Sequence, residues 1–120
     1  MGEIFSVKKS GDIAIVEILK QEITMYEIDK VKKEFSDIIE KDSKNLLVNF
    51  KKLEFISSLV IAALVYLHKK VKDNNGRLKF CELTSKVKEI FEVTDLDKVF
   101  EVYPTESAAL AKFKEEGVKS

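Results

Sequence analysis

Apolar residues along this chain gather in short runs. Their spacing switches between two and about 3.6 residues, which sets out alternating strands and helices. Residues 3–9 and 12–18 read as two strands joined by a tight turn at Ser10-Gly11. The second, DIAIVEI, is apolar on both faces, as a central strand must be. Thr24 and Glu27 then have the spacing of a capping box, and Ile23 and Ile28 sit where a hydrophobic staple would pack. Ile28, Val31, Phe35 and Ile38 follow at helical steps and predict one buried face, with Lys32, Lys33, Asp37 and Lys41 mostly on the other. Residues 45–50 (NLLVNF) form a short apolar strand. A loop then leads to Ser57-Ser58 and a second helix reaching about Lys72, with Val60, Leu64, Leu67 and Val71 as its stripe. The first two turns of that helix are apolar nearly all round, so this end should be buried or meet a partner. Gly76 is expected to stop the helix as a left-handed cap. Residues 77–83 read as a strand, Thr84 or Ser85 as the cap of a short helix holding Val87, Ile90 and Phe91, and residues 98–103 as an edge strand. Pro104-Thr105-Glu106 opens a final helix with Ala109, Leu110 and Phe113 inward, and the chain from Gly117 is expected to fray.

The element order is therefore β-β-α-β-α-β-α-β-α. It predicts an α/β fold: a mixed sheet of about five strands, covered by about four helices through right-handed crossovers. Function is expected at strand-to-helix junctions. With 120 residues the chain makes one domain, over residues 3–113, with a tail at 114–120. Cys81 is the only cysteine, which excludes a disulfide scaffold. The longest apolar run, Leu59 to Leu67, falls well short of the 18 or so residues a membrane helix needs. The start MGEIFSVKKSGD has no apolar signal region, so a cytosolic protein is expected. The 21 basic and 21 acidic residues are spread evenly between the two halves, which argues against nucleic acid as a partner. Twenty of the basic residues are lysines and Arg77 is the one arginine. A surface built to read phosphates would favour arginine.

Signals of catalysis are nearly absent. There is no GxxxxGK[ST], GxGxxG, CxxC or HExxH, and one His with one Cys does not make a usual zinc site. His68 reads as a helix-face histidine and Cys81 as a small buried hydrophobe. A phosphorelay receiver, the obvious rival among small α/β folds, would need paired acids after the first strand. Here that strand ends Val7-Lys8-Lys9. The chain is thus expected to be a binding module that needs no cofactor, and not an enzyme. Ser57-Ser58 stands out. Serine is a preferred N-cap, but capping accounts for one of the two. A helix N-terminus also favours a phosphate through its free N–H groups and dipole.

Several features between Leu46 and Tyr103 occur together. An apolar strand leads to a loop ending in Phe55-Ile56, and Ser57-Ser58 opens a small, apolar helix. Asn75-Gly76-Arg77 precedes a strand with Cys81, and Lys86-Val87-Lys88-Glu89-Ile90-Phe91 precedes Thr94-Asp95-Leu96 and a short last strand. In this combination the sequence resembles a STAS domain over residues 3–113. That is the fold of bacterial anti-sigma factor antagonists and of the cytosolic ends of sulfate transporters. The resemblance implies a monomeric, partner-switching regulator of transcription. It would bind an anti-sigma factor with serine-kinase activity and so free a sigma factor, with no membrane or nucleic-acid partner. A STAS scaffold or ligand-binding module without a phosphoswitch is the alternative. The family motif Asp-Ser-Ser/Thr-Gly-Leu-Gly falls without gaps on Ser57 to Ala62. Ser58 takes the first Ser, Leu59 the phospho-acceptor position and Ala62 the last Gly. Phosphorylation is therefore expected at Ser58, ahead of Ser57. The family's Gly-x-Leu-Asp segment falls on Gln21-Glu22-Ile23-Thr24. The implied partner-binding residues are Thr24, Ser57, Ser58, Leu59 and Ala62.

Overall fold

The computed structural model describes residues 3–120. Strands β1 (Phe5–Ser10) and β2 (Ile13–Ile18) pair antiparallel, and β3 (Asn45–Asn49), β4 (Leu78–Cys81) and β5 (Glu101–Tyr103) add on in parallel, giving the sheet order β1-β2-β3-β4-β5. Helices α1 (Ile28–Lys41), α2 (Ser58–Asp73) and α3 (Ser85–Val93) make the crossovers, and α4 (Glu106–Glu115) follows β5. The expected mixed sheet of five strands with four helices is therefore present. Strand periodicity divides the core. Ala14, Val16, Ile18, Leu46, Val48, Leu78 and Phe80 face α1, α2 and α3 in the larger cluster. Ile13, Ile15, Leu47 and Cys81 face Ala109 and Phe113 of α4 in the smaller one. The central strand apolar on both faces is β2, between β1 and β3. The helix stripes fall as the periodicity dictates, with Ile28, Val31, Phe35 and Ile38 buried on α1 and Val60, Leu64, Leu67 and Val71 on α2.

Four local expectations need correction. The hairpin loop is Gly11-Asp12, one residue later than the pattern placed it, because Ser10 pairs with Ile13. Gly11 has φ +60, and an added Cβ would lie 2.6 Å from the Lys119 carbonyl oxygen. That contact belongs to the second correction. The chain after Gly117 does not fray: Asp12 N–H donates to the Lys119 carbonyl at 2.9 Å, and Val118 packs on the smaller core. Helix α4 itself runs to Glu115, past the expected boundary at residue 113. Third, Gly76 is not the left-handed cap. Asn75 takes that role with φ 59. The N–H of Asn75 donates to Lys72 and that of Gly76 to Val71, closing a Schellman motif. Gly76 is needed for a different reason, since a Cβ there would meet the Lys44 carbonyl oxygen. Fourth, β5 is shorter than expected. Residues Leu96–Lys98 wind into a 3-10 turn and Phe100 is buried before the strand begins.

One buried charge escaped the sequence reading. Lys79 on β4 is fully buried beneath α4. Its ammonium meets Glu101 at 2.8 Å and Glu116 at 2.7 Å, and lies 4.9 Å from the centre of the Phe113 ring. Partial burial works to raise the Glu101 carboxyl, but hydrogen bonds from Lys79 and Tyr103 outweigh it and hold the group below its ordinary value.

Candidate functional site

The carboxyl ends of β2 and β3 carry the two segments that the sequence singled out, and backbone hydrogen bonds join them. After β3, Phe50 N–H donates to the Cys81 carbonyl and Leu53 N–H to that of Phe50. The Phe50 ring packs 4.9 Å from Phe80, and Leu53 is fully buried, so this loop is anchored from below. Thr84 at the start of α3 donates its hydroxyl to the Leu53 carbonyl at 2.9 Å. The loop is then tied sideways. The N–H groups of Glu54 and Phe55 both donate to the Gln21 carbonyl, at 2.9 and 3.0 Å, and Glu22 and Phe55 form a parallel bridge. The segment after β2 and the segment before α2 are thereby held at fixed register.

On the first segment the capping box is present. It opens a 3-10 turn, Met25–Glu27, that runs straight into α1. The Glu27 carboxylate accepts from Thr24 N–H at 2.9 Å, from the Thr24 hydroxyl at 3.1 Å and from Lys20 at 2.6 Å. These contacts, that from Lys20 first, hold Glu27 below the usual carboxylate range. Ile23 and Ile28 are buried as the staple requires. The capping turn therefore presents its outward side chains from a fixed base: Thr24 and Met25 are exposed, and Tyr26 is 90% exposed.

On the second segment the two serines take different roles. Ser57 is the N-cap, with extended backbone, and its hydroxyl accepts from Val60 N–H at 3.3 Å. Ser58 is the first helical residue; it is exposed and is not the capping group. Val60 then turns into the core while Leu59, 46% exposed, and Ala62 face outward. The apolar start of α2 is thus half covered by the domain and half open. Phe55 is also open, with the Lys86 ammonium 4.8 Å from its ring centre.

All five residues predicted to bind a partner lie on these two joined segments and are exposed. Sequence reasoning missed Met25, Tyr26 and Phe55. Their signal was present: each is a large apolar residue outside the stripes of its neighbouring helix, where nothing in the chain claims it. The residues considered for chemistry stand apart. Burial pushes the Cys81 thiol up to about 12, so it is protonated and inert at neutral pH. The His68 ring packs edge-on to Phe100 at 5.5 Å. Among the described residues no cluster of His, Cys, Asp and Glu is placed to hold a metal ion, and no helix is long and apolar enough to cross a membrane.

Comparison with known proteins gives a consistent result. A family model described as STAS domain matches residues 5–109. A Bordetella bronchiseptica protein, BtrV, named as a candidate anti-sigma factor antagonist, is 24% identical over 103 residues, covering 86% of this chain and 89% of its own. Among solved structures, tm1081 of Thermotoga maritima, likewise named as a candidate anti-sigma factor antagonist, superposes with a TM-score of 0.85 at 22% identity, over 92% of this chain and 94% of that one. SpoIIAA of Bacillus, called an anti-sigma factor antagonist and solved both without and with phosphate, superposes in its unphosphorylated form with a TM-score of 0.74 at 16% identity, over 97% and 99% of the two chains. At these identities the structural likeness is one of fold.

Proposed function

The chain belongs to the STAS domain family, and on that premise we propose that it is an anti-sigma factor antagonist whose docking surface is the joined pair of segments at the carboxyl ends of β2 and β3. One observation carries this reading. The Gln21 carbonyl clamps the Thr24 turn to the loop before Ser57, and a single end of the domain then displays Tyr26, Phe55 and Leu59 beside the hydroxyls of Thr24 and Ser58. Exposed aromatic anchors surrounded by polar groups on a rigid base are what a protein interface needs. The backbone beneath them is already hydrogen-bonded, so docking costs little ordering.

The function is competitive. The antagonist occupies an anti-sigma factor, the complex of that factor with its sigma factor dissociates by mass action, and transcription follows. Control acts at Ser58, through an anti-sigma factor with serine-kinase activity. The Ser57 hydroxyl is engaged in capping, which leaves Ser58 as the freer acceptor. A phosphate there adds about −1.5 to −2 charges at neutral pH. The N-terminus of α2 tolerates that charge through its unpaired N–H groups and dipole. An apolar partner surface packed on Leu59 does not. Phosphorylation therefore releases the partner without unfolding the domain.

A second reading has one observation behind it. Leu59, which carries no hydroxyl, stands at the family's acceptor position, as in a STAS module that binds a partner without a phosphoswitch. The two readings separate when the protein is incubated with ATP and the anti-sigma kinase of the same organism and analysed by mass spectrometry. Calorimetry then compares wild type, Ser58→Ala and Ser58→Asp. The phosphoswitch reading expects phosphate at Ser58, affinity kept in Ser58→Ala, and affinity weakened at least about tenfold in Ser58→Asp. Binding with no phosphate at 57–58, or with Ser58→Asp unaffected, leaves the constitutive module. Absence of binding removes the antagonist reading.

A further inference from the structure

Away from the serine loop, where α2 ends and β4 and β5 begin, the surface folds around a cavity of about 360 Å³. This is near the lower end of the range for small-molecule sites. His68 and Lys72 reach it from the last turns of α2, Arg77 and Leu78 from the start of β4, and Val99 and Glu101 from the approach to β5. The charges here do not cancel. Glu101 is engaged by Lys79 at 2.8 Å and by the Tyr103 hydroxyl at 2.8 Å. Glu116 is engaged by the same Lys79 at 2.7 Å, and Arg77 reaches it only at 3.6 Å. Glu101 and Glu116 are thus matched by two cations, Lys79 and Arg77, and Lys72 stands outside these pairs. Among the described residues the neighbouring carboxylates pair with other cations, Asp73 with Lys69 and Glu101 and Glu116 with Lys79, so the Lys72 ammonium lines the cleft without an ion-pair partner.

We propose that this cleft binds a small phosphate- or carboxylate-bearing anion, held by Lys72 and Arg77, with His68 as a further donor once protonated. A guanidinium and an ammonium brought together from two elements match the oxygens of such an anion, and the arginine fork adds direction to the charge. Leu78 and Val99 give the cavity apolar walls, which strengthen those contacts relative to open water. The α2 dipole works against an anion here, since its carboxyl end carries about half a negative charge. Lys72 and Arg77 offset it, the Glu101 carboxylate on the same wall is already engaged by Lys79 and Tyr103, and the last carbonyls of α2 are already bonded by the N–H groups of Asn74, Asn75 and Gly76. In the free protein, burial holds His68 below its ordinary value and the charge of Lys72 adds to this. Phe100 packs on one side of the ring, and Lys72, Arg77 and Glu101 are the charged groups lining the same cavity. A bound anion reverses the balance, so affinity rises as pH falls and His68 takes up its proton. The site is independent of the docking surface proposed above.

The chain has a single histidine, so its imidazole gives one unambiguous NMR signal. The experiment is a pH titration of the His68 Cε1–H resonance in sodium pyrophosphate, in sodium citrate and in sodium chloride, all at matched ionic strength. The expected result is a midpoint higher by roughly 0.5 pH or more in pyrophosphate than in chloride. An equal rise in citrate assigns oxyanions generally, and a rise in pyrophosphate alone assigns phosphates. Lys72→Ala should raise the midpoint in chloride, because a neighbouring cation is gone, and bind pyrophosphate about tenfold more weakly. Arg77→Gln should weaken binding similarly. A midpoint that is the same in all three salts, or a pyrophosphate response undiminished in both variants, overturns the proposal.

Discussion

Replacing Lys79 tests how α4 is held to the sheet. The Lys79 side chain is fully buried, and both its carboxylate partners lie within 2.8 Å. Lys79→Met keeps most of the volume against Phe113 but removes the charge. Two carboxylates are then left over, in different surroundings. Glu101 is 48% exposed and rehydrates at little cost, whereas Glu116 is 19% exposed and keeps only Arg77 at 3.6 Å. Breaking a fully buried pair costs about 3–5 kcal/mol, and one partly wet carboxylate with a residual cation brings this down to about 2 kcal/mol. Lys79→Ala also removes the packed stem, so its cost should reach about 4 kcal/mol. The double variant Lys79→Met with Glu116→Gln removes the orphaned charge along with the cation and should recover at least about 1 kcal/mol of the loss. Urea denaturation at pH 7, followed by circular dichroism, reads these differences directly. In thermal melts each kcal/mol corresponds to about 3–6 °C for a domain of this size. If Lys79→Met alone is as stable as wild type, the buried ammonium contributes nothing and the reasoning fails.

Other outcomes follow from the same geometry. Leu64→Asp places an unpaired charge in the larger core and should unfold the domain, whereas Lys33→Asp on the wet face of α1 should cost under about 1 kcal/mol, as compared melting curves would show. Glu27 has its carboxyl lowered by Lys20 and Thr24, so the stability it supplies is present above the unfolded pKa of about 4.3 and is lost as pH falls through the lower folded value. Glu27→Gln should therefore cost about 0.5–1 kcal/mol at pH 7 and converge on wild type in strong acid, measured by denaturation at both pH values. Asn75→Gly relieves a left-handed backbone and should be neutral or stabilising by up to about 1 kcal/mol, while Gly76→Ala must displace the Lys44 carbonyl and should destabilise well beyond that. The reverse ranking in denaturation would restore Gly76 as the cap.

What the sequence made legible was whatever rests on local pattern. The stripe Ile28, Val31, Phe35 and Ile38, the capping box at Thr24 and the alternation of strands with helices are all written in neighbouring residues, and the structure keeps them. What it hid depends on long-range docking. Lys79 looks like the wet side of a short strand and is buried only because α4 returns over that face and brings Glu116. Gly76 matched a rule about helix ends, yet the close approach of Lys44 decides why glycine stands there. The same limit applied to the candidate site. Ser57 and Ser58 were visible through their place at a helix start, but the link from Gln21 to Glu54 and Phe55 is a backbone contact that no side-chain pattern records. Without it, Met25, Tyr26 and Phe55 read as stray apolar residues rather than as one end of the domain.

On the proposed function, an anti-sigma factor docks at this end of the domain. Amide hydrogen exchange of the wild-type protein, alone and saturated with the anti-sigma factor of the same organism, tests it most directly. The expected result is added protection concentrated at residues 21–27 and 54–62, with Phe55→Ala weakening the complex at least about tenfold while its melting curve stays close to wild type. Protection confined to α4 and the open edge of β1, with residues 21–27 and 54–62 unchanged, would contradict it.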